Sequence, residues 1–308
     1  MNRDAARGVL LGLACGDALG RPVEFSSPTA ISAEYGHLDE MVGHGTWNQP
    51  AGTITDDTDQ ALCIARSVVA EGGFEPADVA ARFVEWYEAG PFDVGRMTAR
   101  SLRRLRDGDA WEEAGQRVWE ASAEGQNAGN GSVMRCPPLA IPYAADRDRL
   151  AEVSRQSSQI THADPRCTAG AAILNHTIAG LLEDTESAVD DPARALRDAL
   201  DAVDDAPTEL VDALEPIAAG ERPSSLESSG YVVHSLQTAL HDALTAVSAR
   251  DAIVVAVNRG GDADTIGAIA GAVAGARFGA SDLPDRWLSA IDEREELEAL
   301  ADDLHALA

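Results

Sequence analysis

Glycine recurs every fourth residue in two distant stretches of this 308-residue chain: Gly8, Gly12, Gly16 and Gly20 near the start, and Gly267, Gly271, Gly275 and Gly279 near the end. Both stretches otherwise read as helices, with apolar residues at three- and four-residue spacing. Glycine inside a helix costs about 1 kcal/mol relative to alanine. Glycines repeated at helical spacing therefore need compensation, and close approach of the backbone to a neighbouring helix is the simplest kind. The expectation is two central helices packed tightly on their neighbours or on one another. Asp17 and Arg277 lie within the stripes and exclude a membrane setting. The looser alternative is that the glycines beside each motif serve turns.

Helical period dominates elsewhere too. Residues 60–70, 77–89, 96–105, 167–182, 193–203, 232–247 and 252–257 place apolar side chains on one face. No run of short alternating segments supports a sheet, so the expected fold class is all-α, with loops holding the motifs. Residues 183–223 read as acidic, alanine-rich amphipathic helices broken by prolines, and 292–308 as a charged amphipathic helix on the surface. No linker rich in Pro, Ser or Gly divides the chain, which favours one domain over 1–308.

The formal net charge is −28 and every basic residue is arginine; there is no lysine. Such charge opposes nucleic-acid and anionic-membrane binding. It also repels itself at low salt, which points to adaptation to a salty cytoplasm. Cys15, Cys63, Cys136 and Cys167 form no CxxC pair and read as buried hydrophobes in a reducing compartment. Arg3 and Arg7 precede an apolar run that resembles a signal peptide, but Asp4 and Asp17 interrupt it and no segment approaches a membrane span. The expectation is a cytoplasmic protein, monomeric by default.

Two acidic clusters carry the chemistry: Thr55-Asp56-Asp57-Thr58-Asp59 and Gly260-Gly261-Asp262-Ala263-Asp264-Thr265. Adjacent carboxylates repel unless a cation or solvent compensates. Hard divalent cations prefer oxygen ligands of this type. Taken singly, each cluster also reads as a helix cap with solvated charge. Two clusters from distant parts of one chain are what a shared dinuclear site requires.

The clusters belong to an ordered set of motifs: Gly12-Leu-Ala-Cys-Gly16-Asp17-Ala-Leu-Gly20, Pro22-Val-Glu24-Phe25, Thr55-Asp56-Asp57-Thr58, Phe92-Asp93-Val-Gly95, Gly129-Asn130-Gly131-Ser132-Val133-Met134-Arg135, Thr161-His162, Ser229-Gly230-Tyr231-Val232 and Asn258-Arg-Gly260-Gly261-Asp262-Ala-Asp264-Thr265-Ile-Gly267. Over nearly its whole length the chain resembles the ADP-ribosylglycohydrolases. The resemblance implies a multi-helix fold around two Mg²⁺ ions, with Mn²⁺ as the alternative. It implies Thr55, Asp56 and Asp57 at one metal, and Asp262, Asp264 and Thr265 at the second, with Asp264 bridging. Glu24 and Asp93 are the competing acid–base residues. Asp17 would hold the end of the first helix or orient a ligand, and Asp59 would support the site or be a first-turn acid.

Gly129, Asn130, Gly131, Ser132, Val133 and Met134 resemble the family's phosphate loop, whose backbone N–H groups would open the following helix toward a pyrophosphate. Pro137-Pro138 would shorten or distort that helix. Arg135 would pair with phosphate or form a structural salt bridge. His162 matches a position near the diphosphate or ribose, and Tyr231 one that stacks on adenine. His176, His234, His241 and His305 carry no motif.

The implied activity is metal-dependent hydrolysis of the bond between ADP-ribose and a modified acceptor, either an ADP-ribosylated protein or a small conjugate. Arginine is slightly favoured as acceptor over serine or an acyl ester. Two alternatives stand: an inactive relative that binds ADP-ribose, and a dinuclear nucleotide pyrophosphohydrolase.

Overall fold

A computed structural model describes residues 1–183 and 191–308. The first half holds α1 (Arg3–Gly20), α2 (Pro28–Tyr35), α3 (Asp56–Glu71), α4 (Pro76–Glu88), α5 (Arg96–Arg106), α6 (Trp111–Glu120), α7 (Arg147–Gln159) and α8 (Pro165–Glu183). The second holds α9 (Ala193–Ala202), α10 (Thr208–Ala218), α11 (Val232–Thr245), α12 (Ala249–Val257), α13 (Ala263–Phe278), α14 (Asp285–Leu288) and α15 (Arg294–Ala306). Among the described residues there is no sheet, only two isolated β-bridges. The expected acidic helices within 183–223 are α9 and α10; residues 184–190 of that stretch lie outside the described residues.

The two glycine-striped segments are α1 and α13, and they form the most extensive helix pair of the molecule. The stripes face each other. Gly8 meets Gly275, Gly12 meets Gly271 and Gly16 meets Gly267, so the backbones touch where side chains would otherwise stand. The small-residue faces thus exchange helix propensity for backbone contact. Around this pair pack α8, α11 and α12 on the α13 side and α15 on the α1 side. The C-terminal helix buries Leu297, Leu300, Ala301 and Leu304. It is tied to α1 by Arg7, whose Nε and Nη2 donate to Asp302 at 2.8 and 2.7 Å. All four cysteines are buried and free. No helix among the described residues is long and apolar enough to cross a membrane.

The pairing of α1 with α13 has a consequence for chemistry. It brings the two ends of the chain together, and with them the segments that follow Gly20 and precede Ala263.

Candidate active site

The first acidic cluster starts α3. Thr55 is the N-cap and Asp56 and Asp57 occupy the first turn. Asp17, from the last turn of α1, fixes this start. Its carboxylate accepts from Thr55 N at 3.0 Å and Thr55 Oγ1 at 2.9 Å, and from Thr58 N at 3.2 Å and Thr58 Oγ1 at 2.5 Å. Asp17 is fully buried and faces the cap rather than a ligand, so it anchors one helix to another. Asp56 accepts from Gln60 Nε2 at 3.2 Å and from Gly95 N at 3.3 Å, which draws the Phe92–Gly95 loop and Asp93 toward the cluster.

The second cluster starts α13. Gly260 and Gly261 both have positive φ, +66° and +63°, a turn closed to other residues. Asp262 stands at the N-cap position but makes no capping bond; its Oδ2 accepts from Asn130 Nδ2 instead. The simple reading of this aspartate as a cap therefore fails. The same turn holds Glu24. Phe25 N donates to Gly261 O at 2.6 Å and Gly261 N donates to Ser26 O at 2.8 Å. Glu24, Asp262 and Asp264 consequently each offer an oxygen within 4.8 Å of one another.

Both clusters open on one cavity of about 330 Å³, lined among others by Glu24, Asp56, Asp57, Asp93, Asp262, Asp264 and Thr265. Thr55 lies behind this lining and reaches it through Asp57, to which its hydroxyl stands at 3.1 Å. Gly129, Asn130, Gly131, Met134, His162 and Tyr231 line the remaining wall. The glycine loop is pinned to the start of α11: Asn130 N donates to Gly230 O at 3.1 Å and Val232 N donates to Ala128 O at 3.1 Å. His162 is held by Thr161 Oγ1 at 2.7 Å, and burial pushes it down to about 3, so its ring is neutral. The Tyr231 hydroxyl donates to Glu209 at 2.6 Å and accepts from Arg166 at 3.0 Å.

Several expectations need correction. The loop does not open an α-helix. Residues 131–135 are turns, followed by a short 3₁₀ helix at Pro137–Ala140, because the two prolines supply no N–H for an α-helical ladder. Ser132 and Val133 are buried behind the cavity wall and do not line it. Arg135 does not line the cavity, and it makes no ion pair among the described residues. It is fully buried, donates to Gln60 and to Thr161 Oγ1, and lies 4.4 Å over the Phe83 ring. Asp59 turns away and accepts from Trp86 Nε1 at 2.9 Å.

Sequence reasoning passed over Arg21 and Trp47. Arg21 is fully buried and donates to the carbonyls of His44, Pro50 and Thr53 at 3.0–3.1 Å, holding the loop before α3. That loop presents Trp47, whose Nε1 donates to Glu24 Oε2 at 2.5 Å. Arg21 follows the first glycine stripe directly, and the only available signal was an arginine in an otherwise apolar context.

Charge accumulates in this cavity. Burial first, then the charge of Asp93, pushes Glu24 up to about 8. Burial and the charges of Asp17 and Asp262 push Asp93 up to about 6. Asp56, Asp57 and Asp264 are held well above the carboxylate range by burial and by their acidic neighbours. Asp57 Oδ1 is buried with no hydrogen-bond partner. Hard oxygen donors, buried, mutually repelling and incompletely bonded, fit divalent cations.

A family model described as ADP-ribosylglycohydrolase matches residues 1–308. The chain is 33% identical to the ADP-ribosyl-[dinitrogen reductase] glycohydrolase of Rhodospirillum rubrum, over 99% of this chain and 97% of that one. It is 34% identical to the ADP-ribosylarginine hydrolase Tri1 of Pseudomonas putida (strain GB-1), over 98% of this chain and 78% of that one. A solved structure titled ADP-ribosylglycohydrolase-related protein complex superposes with a TM-score of 0.79 at 34% identity, covering 99% of this chain and 98% of its own.

Proposed function

The chain belongs to the ADP-ribosylglycohydrolase family and is an enzyme of that family, and from this premise we propose the reaction, the cofactors and the residue roles. The reaction is hydrolysis of the N-glycosidic bond between ADP-ribose and an arginine side chain of an acceptor protein. The observation that carries this reading is the convergence of the α3 and α13 N-termini, from opposite ends of the chain, on one acidic cavity. Two relatives named for ADP-ribosyl-[dinitrogen reductase] and for ADP-ribosylarginine support the choice of acceptor.

Thr55, Asp56, Asp57, Asp262, Asp264 and Thr265 would hold two divalent cations, Mg²⁺ in the first place and Mn²⁺ as the alternative. Glu24 stands close enough to Asp262 and Asp264 to share the second of these sets. Bound there, the cations supply the Lewis acidity that orients ribose hydroxyls and activates water.

The chain's own groups do the rest. The backbone N–H groups of Gly129 and Gly131 are offered to the diphosphate, that of Asn130 being bonded to Gly230, and the Tyr231 face away from Arg166 is offered to adenine. The neutral His162 ring adds a polar contact without positive charge. Glu24 and Asp93 face the cavity beside the cation-holding set. Between them these two carboxylates deliver a proton to the departing guanidine nitrogen and take the proton of the attacking water. The whole chain, 1–308, acts as one domain in the cytoplasm.

The test is incubation with Mg²⁺ and a panel of arginine-, serine- and acyl-linked ADP-ribose compounds in high salt, with products identified. Release of free ADP-ribose from the arginine compound is expected. AMP as the product would replace this reading with pyrophosphate cleavage. Tight ADP-ribose binding without release would replace it with a binding protein.

A further inference from the structure

Resting on the arginine-linked reading above, we propose that Trp47 and Phe92 form the platform on which the guanidinium of the acceptor arginine stacks at the cavity mouth. The two rings come from separate loops and meet with centroids 5.9 Å apart at an interplanar angle of 55°. Each is joined to a cavity carboxylate. Trp47 donates to Glu24 at 2.5 Å, and Phe92 directly precedes Asp93. Neither ring lines the cavity itself, and each stands beside a carboxylate that does.

This apolar surface is exposed where a soluble protein has reason to cover it. Five large hydrophobic residues are exposed among the described residues, and Phe25 at 71% and Phe92 at 38% are two of them. Both adjoin the acid–base carboxylates, so their placement follows the site rather than the surface at large. The support is stiff. Phe25, His44 and Asn48 are the only non-glycine residues with positive φ among the described residues; Phe25 follows Glu24, Asn48 follows Trp47, and His44 bonds Asn48 at 3.0 Å. Such backbone persists only where its surroundings impose it, and it gathers at ligand contacts. Arg21 supplies that constraint through the carbonyls of residues 44, 50 and 53.

The rings also lack an internal cation. Elsewhere Arg135 covers Phe83, Arg166 covers Tyr231 and Arg277 covers Phe278. None of the described residues places an arginine over Trp47 or Phe92 in this way. Arg96 lines the same cavity but makes no ion pair or ring contact among the described residues. A guanidinium is planar, positively charged and weakly hydrated, and it binds aromatic faces and carboxylates together. A serine or acyl acceptor presents no cation, so this surface selects among acceptors rather than binding ADP-ribose.

Two measurements test the proposal on the full-length protein. First, the Trp47 indole N–H is followed by NMR, assigned with Trp47→Phe, during titration with arginine amide and with the uncharged citrulline amide. A saturable shift with arginine amide and none with citrulline amide is expected; equal responses, or none to either, overturn the platform. This readout needs no turnover. If arginine-linked ADP-ribose is not hydrolysed yet arginine amide still shifts Trp47, the assigned reaction fails while the platform stands. Second, the ratio of kcat/KM for arginine-linked over acetyl-linked ADP-ribose is compared in wild type, Phe92→Leu and Phe92→Tyr. Loss of the ring face should lower the ratio roughly three- to thirtyfold, mainly through KM for the arginine compound, and tyrosine should restore it. An unchanged ratio in Phe92→Leu overturns the proposal.

Discussion

Gly12 and Gly271 occupy each other's side-chain space: a Cβ built on Gly12 would stand 2.8 Å from the Gly271 carbonyl carbon, and one built on Gly271 2.6 Å from that of Gly12. The obstacle on both sides is backbone, which cannot rotate away. Gly12→Ala or Gly271→Ala should therefore destabilise the protein by about 1–3 kcal/mol, despite the helix propensity that alanine adds. Gly73→Ala, whose new methyl would meet only the Tyr143 hydroxyl at 3.5 Å, should change stability by no more than roughly 0.5 kcal/mol. Urea unfolding of the three variants decides the matter. Equal stability would mean that α1 and α13 do not touch through their glycines.

Asp17 is the next link in the same chain of cause. It is buried and accepts from two N–H groups and two hydroxyls of Thr55 and Thr58. Asp17→Asn turns part of that acceptor into a donor facing donors. The expected loss is about 1–3 kcal/mol or more, since buried partners are left unsatisfied. Loosening of the α3 start should weaken divalent-cation binding as well. Calorimetric titration with Mg²⁺ alongside urea unfolding would show both effects; a variant as stable and as tight-binding as wild type would remove Asp17 from this role.

Much of this was legible in the sequence because it is local and periodic. The glycine registers identify α1 and α13, and the runs Thr55–Asp59 and Gly260–Thr265 mark two helix starts. The motifs of the resemblance bring together Glu24, Asp93 and the carboxylates that line the cavity. What stayed hidden depends on partners far away in sequence. Nothing near Arg21 shows that carbonyls at 44, 50 and 53 await it, and nothing near Trp47 points to Glu24. Arg135 is instructive in the other direction. It sits inside a phosphate-loop motif, yet the turn that follows sends it into the core against Phe83. Ser132 and Val133 share that fate, since a turn spreads successive side chains to both sides of the wall.

Net charge of −28 with arginine as the only strong base makes stability a function of screening. At molar salt the Debye length is about 3 Å, and it exceeds 10 Å at tens of millimolar. Self-repulsion then acts across the whole surface. The melting temperature should fall steadily on dilution from molar to low salt. A melting temperature that does not move would show that the arginine pairs already balance the acidic surface.

The carboxylate cavity should make stability depend on pH in a direction opposite to ordinary acid denaturation. Glu24 is raised to about 8, and Asp56, Asp57 and Asp264 lie well above the usual range. In the unfolded chain these groups titrate near 4. Between the two values the folded state binds more protons, so stability falls as pH rises. Buried neutral His162 and His176, lowered to about 3 and 4, act the other way below about pH 6.5. The clean window is therefore about pH 6.5 to 8. In chelator the melting temperature should drop across it. Saturating Mg²⁺ at about a hundred times Kd should restore about 2.7 kcal/mol. The gain should be larger at the alkaline end, because the ligands must lose their protons to bind. A flat profile in chelator would contradict the crowding of charge described here.

Asp264 is where these arguments meet. It is buried, it shares the oxygen cluster with Glu24 and Asp262, and its own Oδ1 accepts from Thr265 N at 2.8 Å. Asp264→Asn keeps its shape, so the packing of α13 on α1 should survive. The variant removes one charge from a crowded set, and in chelator it should be as stable as wild type or more so. A neutral amide is a poor ligand between divalent cations. Divalent-cation affinity and turnover should therefore fall together, by more than the roughly 10–100-fold that loss of a supporting residue costs at a metal site. Metal titration, unfolding and ADP-ribose release are to be measured in parallel. A folded variant with near-normal release would exclude Asp264 from the catalytic centre. An unfolded one would transfer the test to Asp262→Asn, whose side chain accepts from Asn130 and is half-buried where Asp264 is buried.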